Sequence, residues 1–368
     1  MKKGIDTILI AILIIACPLT VFGADLDTGD KNSEGIYISS ETVPDEVYTY
    51  AEENIGWILR DLYPLNTLSV GQPFAIDSHT DELYYFLVYS DGDLVGFYRV
   101  FTDEEGEYSG IFSEEIEIVE GFKELENTTN TDNPAKIMVG KYEDIYAVTQ
   151  NKVSTILSDY QGRSTSDVGQ NYIVSMSKGM TTIVNAKEPI NFSMPLAART
   201  AYSKYLNVKI VETQGSEPWC AAYVTATICR HIKNDSTIKA QKVMEHAYPG
   251  TSLTSLKKKS LSRDQVVAYG KYKGLSPSRT GILSGLTVKL EMNNNSPIYF
   301  GCKNTANSDD RHAILCRGYD TTGSKSYYSI WNPWYTSFEK MDALNNLYTT
   351  PSGTKYKQEC TIYGWRNY

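Results

Sequence analysis

Four residues in the second half of this 368-residue chain have the types and spacing for nucleophilic acyl chemistry. Cys220 follows Gln214-Gly-Ser-Glu-Pro-Trp219 and leads into Ala-Ala-Tyr-Val-Thr-Ala-Thr-Ile-Cys-Arg-His-Ile232. Pro218 cannot lie deep inside a helix, so the spacing predicts a helix that opens at about Cys220. The unpaired N–H groups at a helix N-terminus stabilise anions, which predicts a lowered thiol pKa and a reactive thiolate. Gln214, six residues upstream on the incoming loop, can turn its amide back towards Cys220. With the Cys220 backbone N–H it would then supply the two donors of an oxyanion hole. The plainer reading is a cysteine buried as an apolar residue, as expected for Cys229 inside the same helix.

A nucleophilic cysteine needs a base, and this half offers His231, His246 and His312. His231 lies eleven residues along the same helix, roughly 16 Å away at 1.5 Å per residue, and is out of reach. His246 precedes Ala-Tyr-Pro at an expected helix end, where an imidazole caps carbonyls. His312 follows the polar loop Asn307-Ser-Asp-Asp-Arg311 and begins an apolar strand, Ala-Ile-Leu-Cys316, where a histidine can reach across a cleft or serve as a structural residue. A three-residue hairpin loop at Thr321-Thr322-Gly323 places His312 opposite Asn332, with Cβ atoms about 5 Å apart. The Asn332 carbonyl can then accept from one imidazole nitrogen and leave the other for the thiol. In Trp331-Asn332-Pro333-Trp334 the flanking indoles would screen that bond from water, although an Asn-Pro turn in an aromatic core has the same sequence.

These side chains must be positioned by an α+β unit. Beyond about residue 200, helical patterns cover 219–232, 237–247, 262–273 and 281–291. Strands are expected at Ile298–Cys302, Ala313–Tyr319, Tyr327–Trp331 and Thr361–Trp365, giving a helical lobe against an antiparallel sheet with a crevice between them. The first half reads differently. Residues 25–45 form a polar leader, 46–63 an amphipathic helix, and short strands follow at Leu83–Val88, Leu94–Phe101, Ile111–Phe112, Ile116–Val119, Ile137–Val139 and Tyr172–Ser175. Asp91-Gly92 and Glu105-Gly106 supply hairpin turns, so an antiparallel sheet with one helix is expected. Residues 184–200 contain two prolines and little periodicity, the pattern of a cleavable linker.

The N-terminus carries Lys2 and Lys3, an apolar run from Ile8 to Phe22 interrupted by Pro18, and Gly23-Ala24, which is the pattern of a signal peptide. A membrane span is disfavoured by the length of the run and by Pro18. Ile14-Ile15-Ala16-Cys17 loosely imitates a lipoprotein site, so lipid anchoring through Cys17 is a minor alternative. Residues 1–185 hold 11 Lys+Arg against 31 Asp+Glu, and residues 186–368 hold 24 against 13, so an acidic segment is expected to dock on a basic one. The only dense basic run, Lys257-Lys258-Lys259, reads as a solvated helix end and excludes nucleic-acid binding. Five cysteines remain after the signal, at 220, 229, 302, 316 and 360, an odd number that requires a free thiol and leaves the pairing of the others open. None has C-x-x-C spacing, so neither a metal nor a cofactor is expected. A composition of 41% hydrophobic residues with 28 tyrosines is that of a globular protein.

Gln-x5-Cys-Ala at a helix start, His-Ala-Ile opening a strand and Trp-Asn-Pro-Trp after a hairpin together resemble the papain-like cysteine peptidases, in particular the bacterial staphopain family, over about 200–368. The resemblance implies Cys220 as nucleophile, His312 as general base, Asn332 as its orienter and Gln214 as oxyanion donor. It also implies a propeptide that blocks the cleft. The organisation expected is a signal peptide at 1–23, an acidic inhibitory propeptide at 24–190 with an antiparallel sheet, and a papain-like two-lobed peptidase domain at 191–368, secreted as a monomeric zymogen that acts on protein or peptide substrates. Two departures stand out. The His and Asn lie 92 and 112 residues beyond the Cys, against roughly 130 to 150 in papain and the cathepsins, and Trp219 and Ala221 replace the residues familiar there. Both point to the compact bacterial branch. Rival readings are a papain-fold acyl transferase or leader peptidase, and a secreted binding module that has lost activity.

Overall fold

Asp91 and Gly92 both adopt positive φ, 51° and 87°. That is the backbone of the two-residue turn whose twist matches paired strands, and it closes the longest hairpin of the N-terminal region. The computed structural model describes residues 35–78, 82–140, 142–158, 181–192 and 202–366. The expected signal peptide, Cys17 and the strand at Tyr172–Ser175 lie outside these residues.

In the N-terminal region β1 (Tyr37–Ser40) precedes helix α1 (Asp45–Leu59), whose Val47, Ala51, Ile55, Ile58 and Leu59 are buried at helical spacing. Then come β2 (Leu68–Val70), β3 (Phe74–Ala75), β4 (Leu83–Ser90), β5 (Asp93–Thr102) and β6 (Tyr108–Ser113). Helix α2 (Ile116–Glu126) is followed by β7 (Lys136–Val139), β8 (Ile145–Val148), β9 (Val153–Leu157) and β10 (Thr182–Asn185). Two expectations are corrected here. Ile116–Val119 starts a helix rather than a strand, because Ile118, Phe122 and Leu125 share one buried face that lies on β9. Part of the polar leader is β1, which pairs with β10, so the expected linker is tied down as far as Ile190, whose N–H donates to Val70.

The C-terminal region comprises β11 (Tyr202–Tyr205), α3 (Cys220–Lys233), α4 (Ala240–Ala247), α5 (Leu253–Leu256), α6 (Arg263–Tyr272), β12 (Ser278–Thr280) and α7 (Gly285–Asn293). Strands β13 (Ile298–Asn304), β14 (Arg311–Thr322), β15 (Lys325–Trp331), β16 (Glu339–Asp342), β17 (Leu347–Thr349) and β18 (Lys355–Tyr363) follow. Helix α3 is buried nearly all round, from Ala221 to Arg230, and forms the axis of the helical lobe. Ser252, Ser262 and Ser284 cap α5, α6 and α7, and Ser262 with Gln265 completes a capping box.

One antiparallel sheet runs through both regions in the order β12-β18-β13-β14-β15-β16-β6-β5-β4-β2. The seam is β16 against β6, with Glu339 opposite Ser113, Lys340 opposite Phe112 and Met341 opposite Ile111. The edge of the C-terminal sheet is thus satisfied by a strand of the N-terminal region, an intramolecular case of strand addition. The fold is mixed α+β, with a helical lobe packed against antiparallel strands.

Candidate active site

Cys220 is the first residue of α3, as the position of Pro218 predicts. It is half-buried and opens on a cavity of about 630 Å³, lined also by Gln214, Leu261, Arg263, Tyr299, His312 and Trp334. Every lining residue comes from 214–359; among the described residues none comes from the N-terminal region. The Cys220 sulfur receives hydrogen bonds from the backbone N–H groups of Ala313 and Ala221, which places it beside the residue that follows His312.

His312 Nε2 lies 3.0 Å from Asn332 Oδ1. The Trp334 backbone N–H, which can only donate, lies 3.1 Å from the same oxygen. That fixes the Asn332 amide with oxygen towards the imidazole, so Nε2 carries the proton and Nδ1 is the acceptor left for the thiol. The expected pairing is therefore present, but not by the expected register. The hairpin turns at Gly323-Ser324, with Thr322 opposite Lys325, and a bulge near Arg317 leaves Leu315 opposite Trp331. Asn332 lies beyond the last paired residue. It reaches His312 because the chain turns there, the Tyr335 N–H donating to the Asn332 carbonyl at 3.0 Å.

The two indoles have different tasks. Trp334 stacks on the imidazole at 4.1 Å between centroids and 22° between planes. Trp331 is fully buried and donates from Nε1 to the Tyr335 carbonyl, which fixes the turn that carries Asn332. Tyr356, which the sequence reading missed, faces the imidazole on another side at 5.1 Å. The other histidines are occupied elsewhere: His231 contacts Asn295 on the surface, and His246 stacks on Tyr272.

Gln214 is tied to the same turn by its backbone N–H, 2.8 Å from the Pro333 carbonyl. One amide hydrogen of its side chain is engaged with the Glu217 carbonyl at 2.7 Å, which leaves the second for the cavity.

The electrostatics depart from expectation. Burial pushes the Cys220 thiol up to about 11, outweighing the N–H donors at the helix start. Burial also draws His312 down to about 4, against the opposing pull of Asn332. In this form of the chain both groups are held neutral. All five described cysteines are free thiols; the four besides Cys220 are buried. Among the described residues no cluster could hold a metal ion.

Residues 198–365 match the family model described as staphopain peptidase C47. Staphopain A of Staphylococcus aureus strain MSSA476 is 22% identical across 99% of this chain and 100% of that protein, and its counterpart in strain MRSA252 is 21% identical with the same coverage. An extracellular cysteine protease of Staphylococcus epidermidis is 22% identical over 91% of this chain and 90% of that protein. With a thiol, an imidazole and a carboxamide gathered at one cavity inside the matched segment, residues 198–365 are similar to the staphopain peptidases, and the protein is a cysteine peptidase.

Proposed function

We propose that the chain is a secreted cysteine endopeptidase made as a zymogen, in which Cys220 attacks, His312 transfers the proton, Asn332 orients His312 and Gln214 helps bind the oxyanion. The observation that carries the reading is the His312 Nε2–Asn332 Oδ1 bond of 3.0 Å, which leaves Nδ1 for the Cys220 sulfur beside the same cavity. Cys220 would give its proton to Nδ1 as the sulfur adds to the peptide carbonyl. The resulting oxyanion would sit between the Cys220 N–H and the free amide hydrogen of Gln214. Collapse would return the proton to the leaving amine, and water, deprotonated by His312, would release the acyl group from sulfur.

The division of the chain belongs to the same proposal: a signal peptide at 1–23, a propeptide at 24–190 and the peptidase at 191–368. The activating cut would then fall after Ile190, a reading supported by β10 and by the bond from the Ile190 N–H to the Val70 carbonyl, which keep the chain docked up to that residue. Secretion is supported by the apolar N-terminal run and by the extracellular relative. Among the described residues no helix is long and apolar enough to cross a membrane.

The test is the full-length Cys220→Ala protein. It should fold with an unchanged circular dichroism spectrum, fail to process itself and leave casein intact. Casein hydrolysis at the wild-type rate would remove Cys220 from the mechanism.

A further inference from the structure

The hydrogen-bond line from His312 does not end at Asn332. The Asn332 Nδ2 group donates to the Tyr348 hydroxyl oxygen at 2.9 Å, and the Tyr348 O–H donates to Glu339 Oε2 at 2.8 Å. Glu339 Oε1 accepts from Arg99 Nη2 at 2.8 Å, and the same guanidinium nitrogen donates to the Thr349 carbonyl at 3.0 Å. Asn332 and Arg99 are 0% exposed, and Tyr348 and Glu339 1%. Five side chains from β14, the turn after β15, β17, β16 and β5 thus form one buried line that begins at the imidazole and ends in the N-terminal region.

The direction of each link is dictated. Trp334 N–H fixes the Asn332 oxygen towards His312, so Nδ2 must donate outwards. Tyr348 accepts that hydrogen and has its own proton free for Glu339. Burial, followed by the nearby Glu339, holds the Tyr348 hydroxyl well above its ordinary pKa, so it stays a donor.

A carboxylate at the far end of such a line favours positive charge on the imidazole, and a guanidinium against that carboxylate cancels the effect. Arg99 does not belong to the family-matched segment 198–365; it is carried by β5, behind the seam of β6 with β16. It reaches the site through the sheet, while the cavity itself is lined only by residues of 214–359.

We propose that Tyr348 and Glu339 are positioning residues that set the orientation and charge preference of His312 through Asn332, and that Arg99 neutralises this line for as long as the N-terminal region stays docked. The proposal rests on the roles given above to Cys220 and His312. Latency then has an electrostatic component that needs no segment in the cleft. Loss of Arg99 leaves the Glu339 carboxylate to favour the imidazolium, and with it the Cys220 thiolate.

Glu339 is faced by Arg99, Tyr348, Tyr335, Tyr85 and Glu115. His312 is faced by Asp310, Tyr356, Trp334, the Cys220 thiol and Cys302 opposite it on β13, and the cavity they share also takes in Arg263, Asp264, Arg279, Asp309, Arg311 and Glu359. Of these, only Arg99 and Tyr348 have polar atoms within hydrogen-bond distance of Glu339.

The experiment alkylates the full-length chain with iodoacetamide between pH 5 and 10 and follows Cys220 by peptide mass spectrometry. Arg99→Met should label about tenfold faster than wild type at pH 7, the size of a one-unit shift. The Arg99→Met/Tyr348→Phe and Arg99→Met/Glu339→Gln proteins should return to the wild-type rate. The second of these leaves no unpaired buried charge, and if Arg99→Met alone does not fold, the tautomer readout of Tyr348→Phe below decides the test. Equal rates for Arg99→Met and Arg99→Met/Tyr348→Phe would overturn the proposal, as would wild-type labelling in Arg99→Met. A second readout uses the near-isosteric Tyr348→Phe protein. Histidine ¹⁵N shifts should give a single Nε2–H tautomer for His312 in wild type and a tautomer mixture in the variant. An unmixed tautomer there counts against the line. His312→Ala separates the two readings. If it alters Cys220 labelling while Tyr348→Phe leaves the His312 tautomer unmixed and fails to slow labelling in the Arg99→Met background, the catalytic reading stands and the line fails; if it leaves labelling unchanged, both fail.

Discussion

Cys220 and His312 are each held in the uncharged state by the same cause, removal from water. A lone thiolate or a lone imidazolium in this cavity loses hydration that two backbone N–H groups or one carboxamide oxygen restore only in part. With the thiol near 11 and the imidazole near 4, the resting pair at neutral pH is thiol and neutral imidazole. The sign of the consequence follows. Thiolate is the form that reacts, and its fraction rises with pH until the thiol pKa is passed. Iodoacetamide labelling of Cys220 in the uncut chain should therefore rise about tenfold per pH unit from 7 upwards, with no plateau below about pH 10. A plateau already at pH 7 to 8 would mean that the uncut chain holds a preformed thiolate–imidazolium pair. That these side chains would be brought near one another was legible in the sequence because each sits in a short motif with a mechanical reason: a proline before a helix, a polar loop before a strand, an Asn-Pro turn between indoles. The upward push on the thiol has no such motif behind it, because burial depends on everything packed over the site and has no local signature.

Elements deliver these side chains, and one clamp stands out for α3. Arg230 near its C-terminus is 6% exposed and donates to Glu212 on the loop that leads to Gln214, as well as to the Ile238 carbonyl and to Thr227. Glu212 also accepts from the N–H of Ala240 at the start of α4. The entry loop, α3 and α4 are thereby locked at one point. Arg230→Met leaves the carboxylate without its cation and should destabilise the chain by about 3 kcal/mol, the scale for breaking a largely buried pair by removing one partner. Thermal unfolding of the Cys220→Ala background would read this as a fall of several degrees in Tm, and a shift below one degree would show that the clamp is not structural. The principal helices and strands of the C-terminal region were legible from their periodicity. Strands β16 and β17 were not. Glu339-Lys-Met-Asp342 reads as polar surface, yet all four residues are buried, because Lys340 meets Asp320 at 2.6 Å and Glu339 meets Arg99. Helix α2 was mistaken for a strand for a related reason. Its β-branched start hides a helical face, and Gly121 allows the close approach to β9 that the packing needs, a Cβ there lying 2.8 Å from the Ile156 Cα.

The opposite charges of the two halves suggested docking by attraction, and Lys325 with Glu53 at 3.9 Å and Lys340 with Asp61 at 4.0 Å have that polarity, but the shorter contacts at the seam are of another kind. Glu115 accepts from the N–H and hydroxyl groups of Thr336 and Ser337, and Glu143 accepts from the hydroxyls of Thr350, Ser352 and Thr354. The central ion pair, Arg99 with Glu339, has the reverse polarity, its cation coming from the acidic half. Around these runs an uninterrupted sheet, and the buried clusters cross the seam as well: Tyr327 of β15 packs with Val47, Phe86 and Tyr98, and one larger core includes both Ile38 and Trp365. Apolar burial and ladder hydrogen bonds inside a dry seam are little affected by salt, whereas attraction between exposed charges fades beyond a Debye length of about 3 Å at 1 M. A site-specific protease sequence placed between Phe192 and Tyr202 of the Cys220→Ala chain therefore provides a decisive measurement. After complete cleavage the two fragments should co-elute on gel filtration in 0.15 M and in 1 M NaCl alike and separate only in denaturant. Separation in 1 M NaCl would show that surface charge holds the halves together. Co-elution would mean that cutting the linker does not by itself free the peptidase, because β6 and Arg99 stay in place until the N-terminal region is removed or digested.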